Sequence, residues 1–276
     1  MSRRTINQKA RLGLNDTHFP VEHPGAVALM VKVAEHIKPG LTYHKGDILD
    51  CQAFSSHDGK ILREFCGYNF KRDEVDPAMA WLAAIQKHTH SLVCLGGNHE
   101  YRIERALISQ GMQGEALSDY FSIEQCFLQD SKIDSNRFQY VPYVPGSDAF
   151  QYFELSPELE HSSRLVVVHG WSYAENAAAV HLAAAHSCSI LYGHTHREEQ
   201  KSIRDPFTKK TLRAANSGTL SRLQPLYRHG KPTTWTLGFD LIYIGSQSWT
   251  YYPIDVIETR EGGAMCVLPD GKELRV

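Results

Sequence analysis

Short apolar runs at regular intervals constrain the fold of this chain more than any other feature of its sequence. Such runs stand at 12–14, 92–95, 165–168 and 189–192, and each has the length and the bounding polar residues of a buried strand. The segment 41–45 holds an equivalent place, although its composition favours a strand only weakly.

Segments of helical period lie between these runs. After Pro24, apolar residues recur every three or four positions as far as Ile37, and Pro39-Gly40 then ends the pattern. A second helix is predicted to begin at the N-cap pair Asp76-Pro77, and a third in the alanine-rich run 173–186. Strands that alternate with helices imply βαβ units and a largely parallel sheet.

The C-terminal part differs, because 234–244 and 249–256 predict antiparallel strands joined by a turn at 245–248. A mixed sheet, or two sheets face to face, is therefore expected. No repeat or flexible linker divides the sequence, so we predict one domain over 1–276. Within it, about 101–163 is expected to be a helical and loop elaboration, with strands at 138–144 and 150–155, that acts as a lid or a specificity element.

Composition excludes several classes of protein. The 276 residues include 29 Lys and Arg against 31 Asp and Glu, with 42% hydrophobic residues, which argues against a disordered chain or a bulk-charge binder of nucleic acid. No apolar stretch is long enough for a membrane span or a signal peptide, so a cytoplasmic protein of a bacterium or a phage-infected host is expected. The six cysteines form no CxxC pair, and histidine is abundant at 15 residues.

Polar clusters follow the predicted strands, and they contain the candidate functional residues. Ligands of open α/β sheets bind beyond the carboxyl ends of the strands, so five such clusters are expected to converge on one crevice. Carboxylate and imidazole side chains suit divalent first-row ions, and two such ions can activate a bridging water and clamp a phosphoryl group. The clusters contain Asp16 and His18, Asp47 and Asp50, Asn98, His99 and Glu100, His169, and His194 and His196.

The order of these clusters, D-x-H, G-D-x-x-D, G-N-H-E, H-G and G-H-x-H, resembles the calcineurin-like metallophosphoesterase superfamily, in particular its bacterial and phage-type members. The resemblance implies a four-layer α/β/β/α sandwich of mixed sheets. It also implies two divalent ions, Mn²⁺ first among Mn²⁺, Fe²⁺, Zn²⁺, Ni²⁺ and Mg²⁺. By the same resemblance, one ion would be held by Asp16, His18 and His196, the other by Asn98, His169 and His194, and Asp47 would bridge them.

The resemblance further implies that His99 binds no metal and instead protonates the leaving oxygen. The expected activity is phosphodiester hydrolysis of a nucleotide or nucleic acid by a metal-bridging hydroxide. Protein phosphatases of the superfamily carry two phosphate-gripping arginines where this sequence has Cys51-Gln52 and Gly96-Gly97. A phosphomonoesterase, including a protein phosphatase, and a non-catalytic scaffold remain the alternatives.

Several other residues have open interpretations. A turn or cap role is favoured for Asp50 over a hydrogen bond to a ligand, and Glu100 is expected to support a ligand or to begin a helix. Trp171 and Tyr173 are expected in the core rather than stacked on a base, and His57 and His229 are loop histidines near the clusters. The oligomeric state is open, with a homodimer among the alternatives.

A basic segment follows the last histidine cluster. Residues 197–231 contain nine Lys and Arg against three acidic residues. This excess would steer a polyanionic substrate if it lay beside the site, or it could be the solvated charge of a hairpin, and the sequence does not separate the two. The candidates for substrate binding are Arg197, Arg213 and Arg222.

Overall fold

The computed structural model describes residues 6–55, 67–109, 123–129, 132–145, 151–159, 163–185, 187–207, 209–225 and 230–276. The helices within these residues are α1 Pro24–Ile37, α2 Asp76–Gln86, α3 Tyr101–Ser109, α4 Ile123–Leu128 and α5 Ala177–Ala184. The strands are β1 Asn7–Leu14, β2 Pro39–His44, β3 Ser91–Leu95, β4 Phe138–Val141, β5 Phe153–Glu154, β6 Leu165–Val167, β7 Ser189–Leu191, β8 Glu198–Arg204, β9 Thr211–Ser217, β10 Gly238–Ile244, β11 Trp249–Asp255, β12 Ile257–Glu258, β13 Ala264–Val267 and β14 Glu273–Arg275.

The larger sheet has the strand order β11-β10-β1-β2-β3-β4 among the described residues. Strands β1 to β4 are parallel, whereas β10 and β11 add an antiparallel edge, as the C-terminal pattern predicts. The weakly predicted segment 41–45 lies in β2 at the centre of this sheet. Its Thr42, Tyr43 and His44 are fully buried between neighbours, and tertiary burial of this kind outweighs local composition.

The second sheet has the order β5-β6-β7-β9-β8, with β6, β7 and β9 parallel and both edge strands antiparallel. A small antiparallel sheet of β12, β13 and β14 packs against α1. The carboxyl ends of five strands come together at one edge of the molecule. These strands are β1, β2 and β3 of the larger sheet and β6 and β7 of the second sheet.

Successive side chains of a strand lie on opposite faces of its sheet, and this alternation separates the layers of the fold. In β3, Leu92 and Cys94 pack in the cluster that contains α1 and α2, whereas Val93 and Leu95 pack in the cluster between the two sheets. In the second sheet, Val166 and Ile190 pack with α5 on the outer face. The predicted four-layer α/β/β/α sandwich of mixed sheets is therefore confirmed.

The predicted helices are present, but the N-cap role of Asp76 and the start of the third helix are wrong. The turn 71–75 continues directly into α2, so Asp76 has helical backbone angles of φ −61° and ψ −41° and is not an N-cap. Helix α5 begins at Ala177, and Tyr173 lies in the loop before it. At the start of α1, the His23 side chain accepts the N–H of Ala26 at 3.0 Å and caps the helix, which no local sequence pattern predicts.

The stretch about 101–163 contributes a strand to each sheet. Strand β4 pairs with β3, and β5 pairs with β6, while α3 and α4 account for the predicted helical part. A lid or specificity role for this stretch stays a prediction, because much of it lies outside the described residues. Among the described helices, none combines the length and the apolar character needed to cross a membrane.

Candidate metal centre

The five polar clusters meet at the carboxyl ends of the strands that precede them. The loop after β1 contacts the loop after β2 through Thr17 and His18, whose N–H groups both donate to the Asp47 carbonyl. The loop after β7 reaches the first loop because the N–H of His194 donates to the Asp16 carboxylate at 2.8 Å. The structure thus brings together all seven residues proposed as metal ligands.

The first group of ligand atoms belongs to Asp16, His18, Asp47 and His196, all of them buried. The Nε2 atoms of His18 and His196 are 3.0 Å apart, and His196 Nε2 is 3.1 Å from Asp16 Oδ2. Asp47 Oδ2 completes the group at 3.6 Å from His18 Nε2. These distances bring four candidate metal-ligand atoms close to one another.

The second group shares Asp47 with the first. His169 Nε2 lies 3.3 Å from Asp47 Oδ2, 3.1 Å from His194 Nδ1 and 2.9 Å from Asn98 Oδ1. Asn98 is half-buried, whereas His169 and His194 are buried. Asp47 therefore stands between two sets of ligands, in the place that a bridging carboxylate requires.

Hydrogen bonds at the far side of two imidazoles fix where their protons are. His169 Nδ1 is 3.0 Å from the Lys45 carbonyl, which can only accept, so this nitrogen carries the proton. His18 Nδ1 is protonated for the same reason, since it faces Asp50 Oδ1 at 3.2 Å. In each neutral ring the Nε2 atom then has a free lone pair directed into the centre.

The two groups therefore consist of acceptors that face acceptors. In addition, Asp16 Oδ1 is a buried acceptor without a hydrogen-bond partner. Buried acceptors without donors are costly, and a cation between them removes the cost. The imidazole, carboxylate and amide atoms present fit one or more divalent metal ions.

Backbone geometry at the ligands is unusual. His18, Asp47, His194 and His196 all have φ between 51° and 70°, in the left-handed region that side chains other than glycine seldom adopt. Strain of this kind persists where the surrounding structure imposes it, and it concentrates at functional sites. A Cβ atom on Gly97 would overlap the Asp47 carboxylate, so glycine is required there by close approach.

The two imidazoles of the second group have opposite pKa shifts. Burial and the neighbouring His169 together lower the pKa of His194 to about 3. Burial also opposes protonation of His169, but the Asp47 carboxylate outweighs it and raises the pKa of His169 to about 9. The pKa of Asp47 is well below its usual range despite burial, because His169 and His99 face it. The metal-free protein therefore favours a second proton on His169, at Nε2, and an ion bound to Nε2 would take its place.

His99 lies beside the two groups without joining either. Its Nε2 atom is 3.9 Å from Asp47 Oδ2, and its Nδ1 atom is 3.0 Å from Asp50 Oδ1. Burial would lower the pKa of His99, but Asp47 and Asp50 together raise it. The interpretation of Asp50 as a turn or cap residue is wrong, because its buried carboxylate contacts both His18 and His99.

Glu100 supports the ligands through the backbone. Its buried carboxylate accepts the N–H groups of Asp47, Leu49 and Gly97 at 3.1, 2.8 and 2.8 Å. It thereby ties the loop after β2 to the loop after β3. Burial and the nearby Asp47 raise the pKa of Glu100 to about 7.

Arg102 is a residue of the site that the sequence reasoning missed. One of its amino groups donates to the Asp50 carbonyl at 2.8 Å, and the other lies 2.9 Å from His99 Nε2. The signal was present in the sequence, since Arg102 stands three positions after His99 and α3 begins between them.

The arginines proposed for substrate binding lie in three different environments. Arg197 follows His196 and donates to the Ala174 carbonyl at 2.7 Å. Arg222 is exposed, with its Nε atom 3.3 Å from the Glu22 carbonyl. For Arg213 the proposal is wrong, because its guanidinium packs 5.7 Å from the Trp249 ring centroid, near the opposite end of the strands.

The basic segment mostly points away from the centre. In the β8–β9 hairpin, Glu198 pairs with Ser217 near the ligand loops, whereas Arg204 pairs with Thr211 at the far end. Lys209 and Lys210 lie beyond that far end, so much of the excess positive charge is the solvated charge of a hairpin. His57 and His229 lie outside the described residues.

The two aromatic residues after His169 have different environments. Trp171 is half-buried, with its ring 4.2 Å from that of His181, which fits a packing role. The expectation of a core position is wrong for Tyr173, whose side chain is exposed. Its ring centroid lies 3.8 Å from that of His194. The sequence reasoning also overlooked Trp235, whose ring lies 4.2 Å from that of His196.

The chain matches no protein-family model and no curated protein. Among solved structures, it is similar to Vps29 of Chaetomium thermophilum, with a TM-score of 0.47 and 13% identity over 97% of this chain and 96% of that one. Vps29 of Cryptosporidium Parvum has a TM-score of 0.43 and 11% identity over 97% of each chain. Likeness at this level assigns no function, so the ligand roles depend on the distances within this chain.

Proposed function

We propose that this protein is a metal-dependent phosphoester hydrolase, and more narrowly a phosphodiesterase that acts on a nucleotide or a nucleic acid. One observation supports this above all others: two groups of buried acceptors share Asp47, and their nitrogen and oxygen atoms face one another at 2.9–3.6 Å. Neighbouring carboxylates and imidazoles in this arrangement are typical of sites that hold two cations and transfer phosphoryl groups.

The ligand sets follow the two groups. Asp16, His18 and His196 would hold one ion, and Asn98, His169 and His194 the other, with Asp47 between them. Mixed imidazole and carboxylate ligands favour Mn²⁺, with Fe²⁺, Zn²⁺, Ni²⁺ and Mg²⁺ as alternatives. When bound, such ions supply Lewis-acid activation of water and of the phosphoryl group.

His99 would serve the leaving oxygen. Its Nδ1–H is held by Asp50, so its Nε2 atom is the one that can carry a proton to the substrate. In the free protein Nε2 accepts from Arg102. Once Nε2 is protonated, that Arg102 N–H is released, and it can donate to a phosphoryl oxygen instead.

A diester is favoured over a monoester by charge. A monoester dianion gains most from additional cationic donors, and protein phosphatases of the resembling superfamily supply them as two arginines. Here those positions hold Cys51, which is buried and neutral, and Gly96. On the same grounds we infer that the chain is a bacterial or phage-type member of the calcineurin-like metallophosphoesterase superfamily.

Metal analysis and a phosphoester panel test the proposal. The purified protein, treated with chelator and reloaded with Mn²⁺, should hold about two equivalents and hydrolyse bis-aryl phosphate faster than mono-aryl phosphate. Strong preference for the monoester would replace the diesterase with a phosphomonoesterase. No bound ion and no hydrolysis of any ester would leave a scaffold that retains the fold.

His99→Ala separates catalysis from metal binding. We expect turnover of the bis-aryl phosphate to fall about 10²- to 10⁴-fold, because a positioned general acid contributes that much, while the metal content is unchanged. His90→Ala is the matched control, since His90 is exposed and precedes β3 at the strand end opposite His99. Full activity of His99→Ala would show that the role assigned to His99 is wrong.

A further inference from the structure

We propose that the exposed ring of Tyr173, with Trp235 beside it, is a stacking site for the planar base of the substrate. This inference rests on the proposed function, because the phosphoester would be held at the metal centre while the base reaches the rim. It assigns the residues that would bind the base, which the proposed function leaves open.

The Tyr173 ring borders the metal centre and is open to solvent. Its centroid is 3.8 Å from the ring of His194, with an angle of 41° between the planes, and its side chain is 69% exposed. One side of the ring therefore contacts a proposed ligand, and the rest is available to a bound molecule. Single exposed aromatic rings are common on protein surfaces, so the position of this ring against a proposed metal ligand, and not its exposure alone, indicates a bound partner.

The loop that carries Tyr173 is held in place by hydrogen bonds. Ser172 Oγ accepts from the Ala174 N–H at 3.2 Å, and the Ala174 carbonyl accepts from Arg197 at 2.7 Å. The Trp171 N–H donates to His181 Nε2 at 3.2 Å. The backbone on both sides of Tyr173 is thus fixed to neighbouring elements, so its exposure is imposed by the fold.

Trp235 is a second aromatic residue beside the loop that carries His194 and His196. Its ring centroid lies 4.2 Å from that of His196, with the planes at 75°, and the residue is half-buried. His194 and His196 are two positions apart, so each of these ligands has an aromatic ring at its outer side. Tyr143 borders a third ligand, at 5.8 Å from the ring of His169.

The chemistry of this rim fits a nucleobase. Bases are planar and stack on exposed aromatic rings without regard to sequence. A molecule that spans the centre and the rim must combine a phosphoryl group with a flat apolar group, as a nucleoside phosphodiester does.

The test compares two diesters with three variants of the Mn²⁺-loaded protein. The substrates are a dinucleoside monophosphate and glycerophosphoethanolamine, which has no aromatic ring. The variants are Tyr173→Leu, Tyr173→Phe and the control Phe207→Leu, because Phe207 is 92% exposed at the turn between β8 and β9. Hydrolysis is followed by phosphorus NMR, and binding of adenosine monophosphate by calorimetry.

We expect Tyr173→Leu to raise KM for the dinucleoside about tenfold and to weaken adenosine monophosphate binding equally, the effect of losing one stacked base. KM for glycerophosphoethanolamine should stay within about twofold, and Tyr173→Phe and Phe207→Leu should behave like the wild type. A fourth variant, Trp235→Leu, should produce a smaller change in the same direction, because Trp235 is half-buried.

Equal effects of Tyr173→Leu on both diesters, or none on either, would overturn the inference. So would a wild-type preference for the aliphatic diester. If the wild type hydrolyses no phosphoester, the proposed function fails, and the binding data then decide the inference separately. Adenosine monophosphate that binds wild type and Tyr173→Leu alike would refute the stacking site whatever the activity.

Discussion

Two buried polar clusters lie next to each other in this protein, and their charges are balanced differently. In the first, the structural cluster, Asp240 is fully buried. Its carboxylate accepts from Tyr43 at 2.9 Å, Ser217 at 2.6 Å and Tyr251 at 3.1 Å, and lies 2.7 Å from Lys45 Nζ. Every oxygen of this carboxylate has a donor, and one positive charge meets one negative charge.

The second is the candidate metal centre, where carboxylates and imidazole lone pairs face one another. His18 Nε2 and His196 Nε2 are 3.0 Å apart with Asp16 and Asp47 beside them, and Asp16 Oδ1 has no hydrogen-bond partner. The two clusters are joined, since the Lys45 carbonyl holds His169 in position. A buried carboxylate whose oxygens all have donors is compensated within the fold, whereas a group composed of acceptors favours a bound cation.

The largest effect is expected from breaking the structural cluster. Lys45→Met leaves Asp240 buried without its cation, and we expect a loss of about 3–5 kcal/mol in the free energy of unfolding, with or without Mn²⁺. Urea denaturation measures it. The double variant Lys45→Met/Asp240→Leu should recover part of the loss, and a loss that Mn²⁺ abolishes would show that the two clusters are not distinct.

At the candidate metal centre, a substitution is expected to lower metal affinity more than it lowers the stability of the metal-free protein. Asp47→Asn removes the carboxylate shared by both groups, so Mn²⁺ affinity should fall at least about 100-fold, or ~2.7 kcal/mol. The metal-free variant should lose less unfolding free energy than Lys45→Met does, because His169 stabilises the Asp47 charge while the nearby Asp16 carboxylate repels it. Calorimetric Mn²⁺ titration and urea denaturation test both. Marked destabilisation of the metal-free variant would contradict the comparison.

Addition of Mn²⁺ should raise the free energy of unfolding through the candidate metal centre and not through the structural cluster. At a free Mn²⁺ concentration of 100 times the dissociation constant, the folded wild type should gain about 2.7 kcal/mol, since the ion binds only the assembled ligands. Thermal unfolding with and without chelator measures the gain. Asp47→Asn should lose most of it, whereas an equal gain in that variant would place the ion elsewhere.

The buried carboxylate of Glu74 belongs to neither cluster, and its hydrogen bonds compensate its burial only in part. It accepts the Cys51 N–H at 2.7 Å and a Tyr68 hydroxyl, but burial still raises its pKa to about 8 from 4.5. The folded state holds this proton more tightly, so its stabilisation is full below pH 4.5 and is lost as the pH rises through about 8.

The Glu74 contribution can be isolated by substitution. Between these pH values the wild type should lose at most about 1.4 kcal/mol of unfolding free energy per pH unit relative to Glu74→Gln. Denaturation series at several pH values compare the two proteins. Parallel pH curves would show that Glu74 is ionised in the folded state at neutral pH.

The sequence predicted those parts of the molecule that depend on local pattern. The apolar runs of β1, β3, β6 and β7 and the polar residues after them identify both the strands and the residues that meet. Asp50 was misjudged because its partners, His18 and His99, are distant in sequence, and only folding brings them together. Tyr173 was misjudged because an apolar residue near a helix is usually buried, and here a loop holds it outward.

The sequence separation within the metal centre has a consequence for the order of folding. The contact between His18 and His196 joins residues 178 positions apart, and His169 reaches Asn98 across 71. Contacts of this range form slowly, after both sheets have assembled from their own strands. Binding of the proposed ions is therefore expected to be the last event in maturation, and a chain truncated before His194 would lack two of the side chains proposed to hold them.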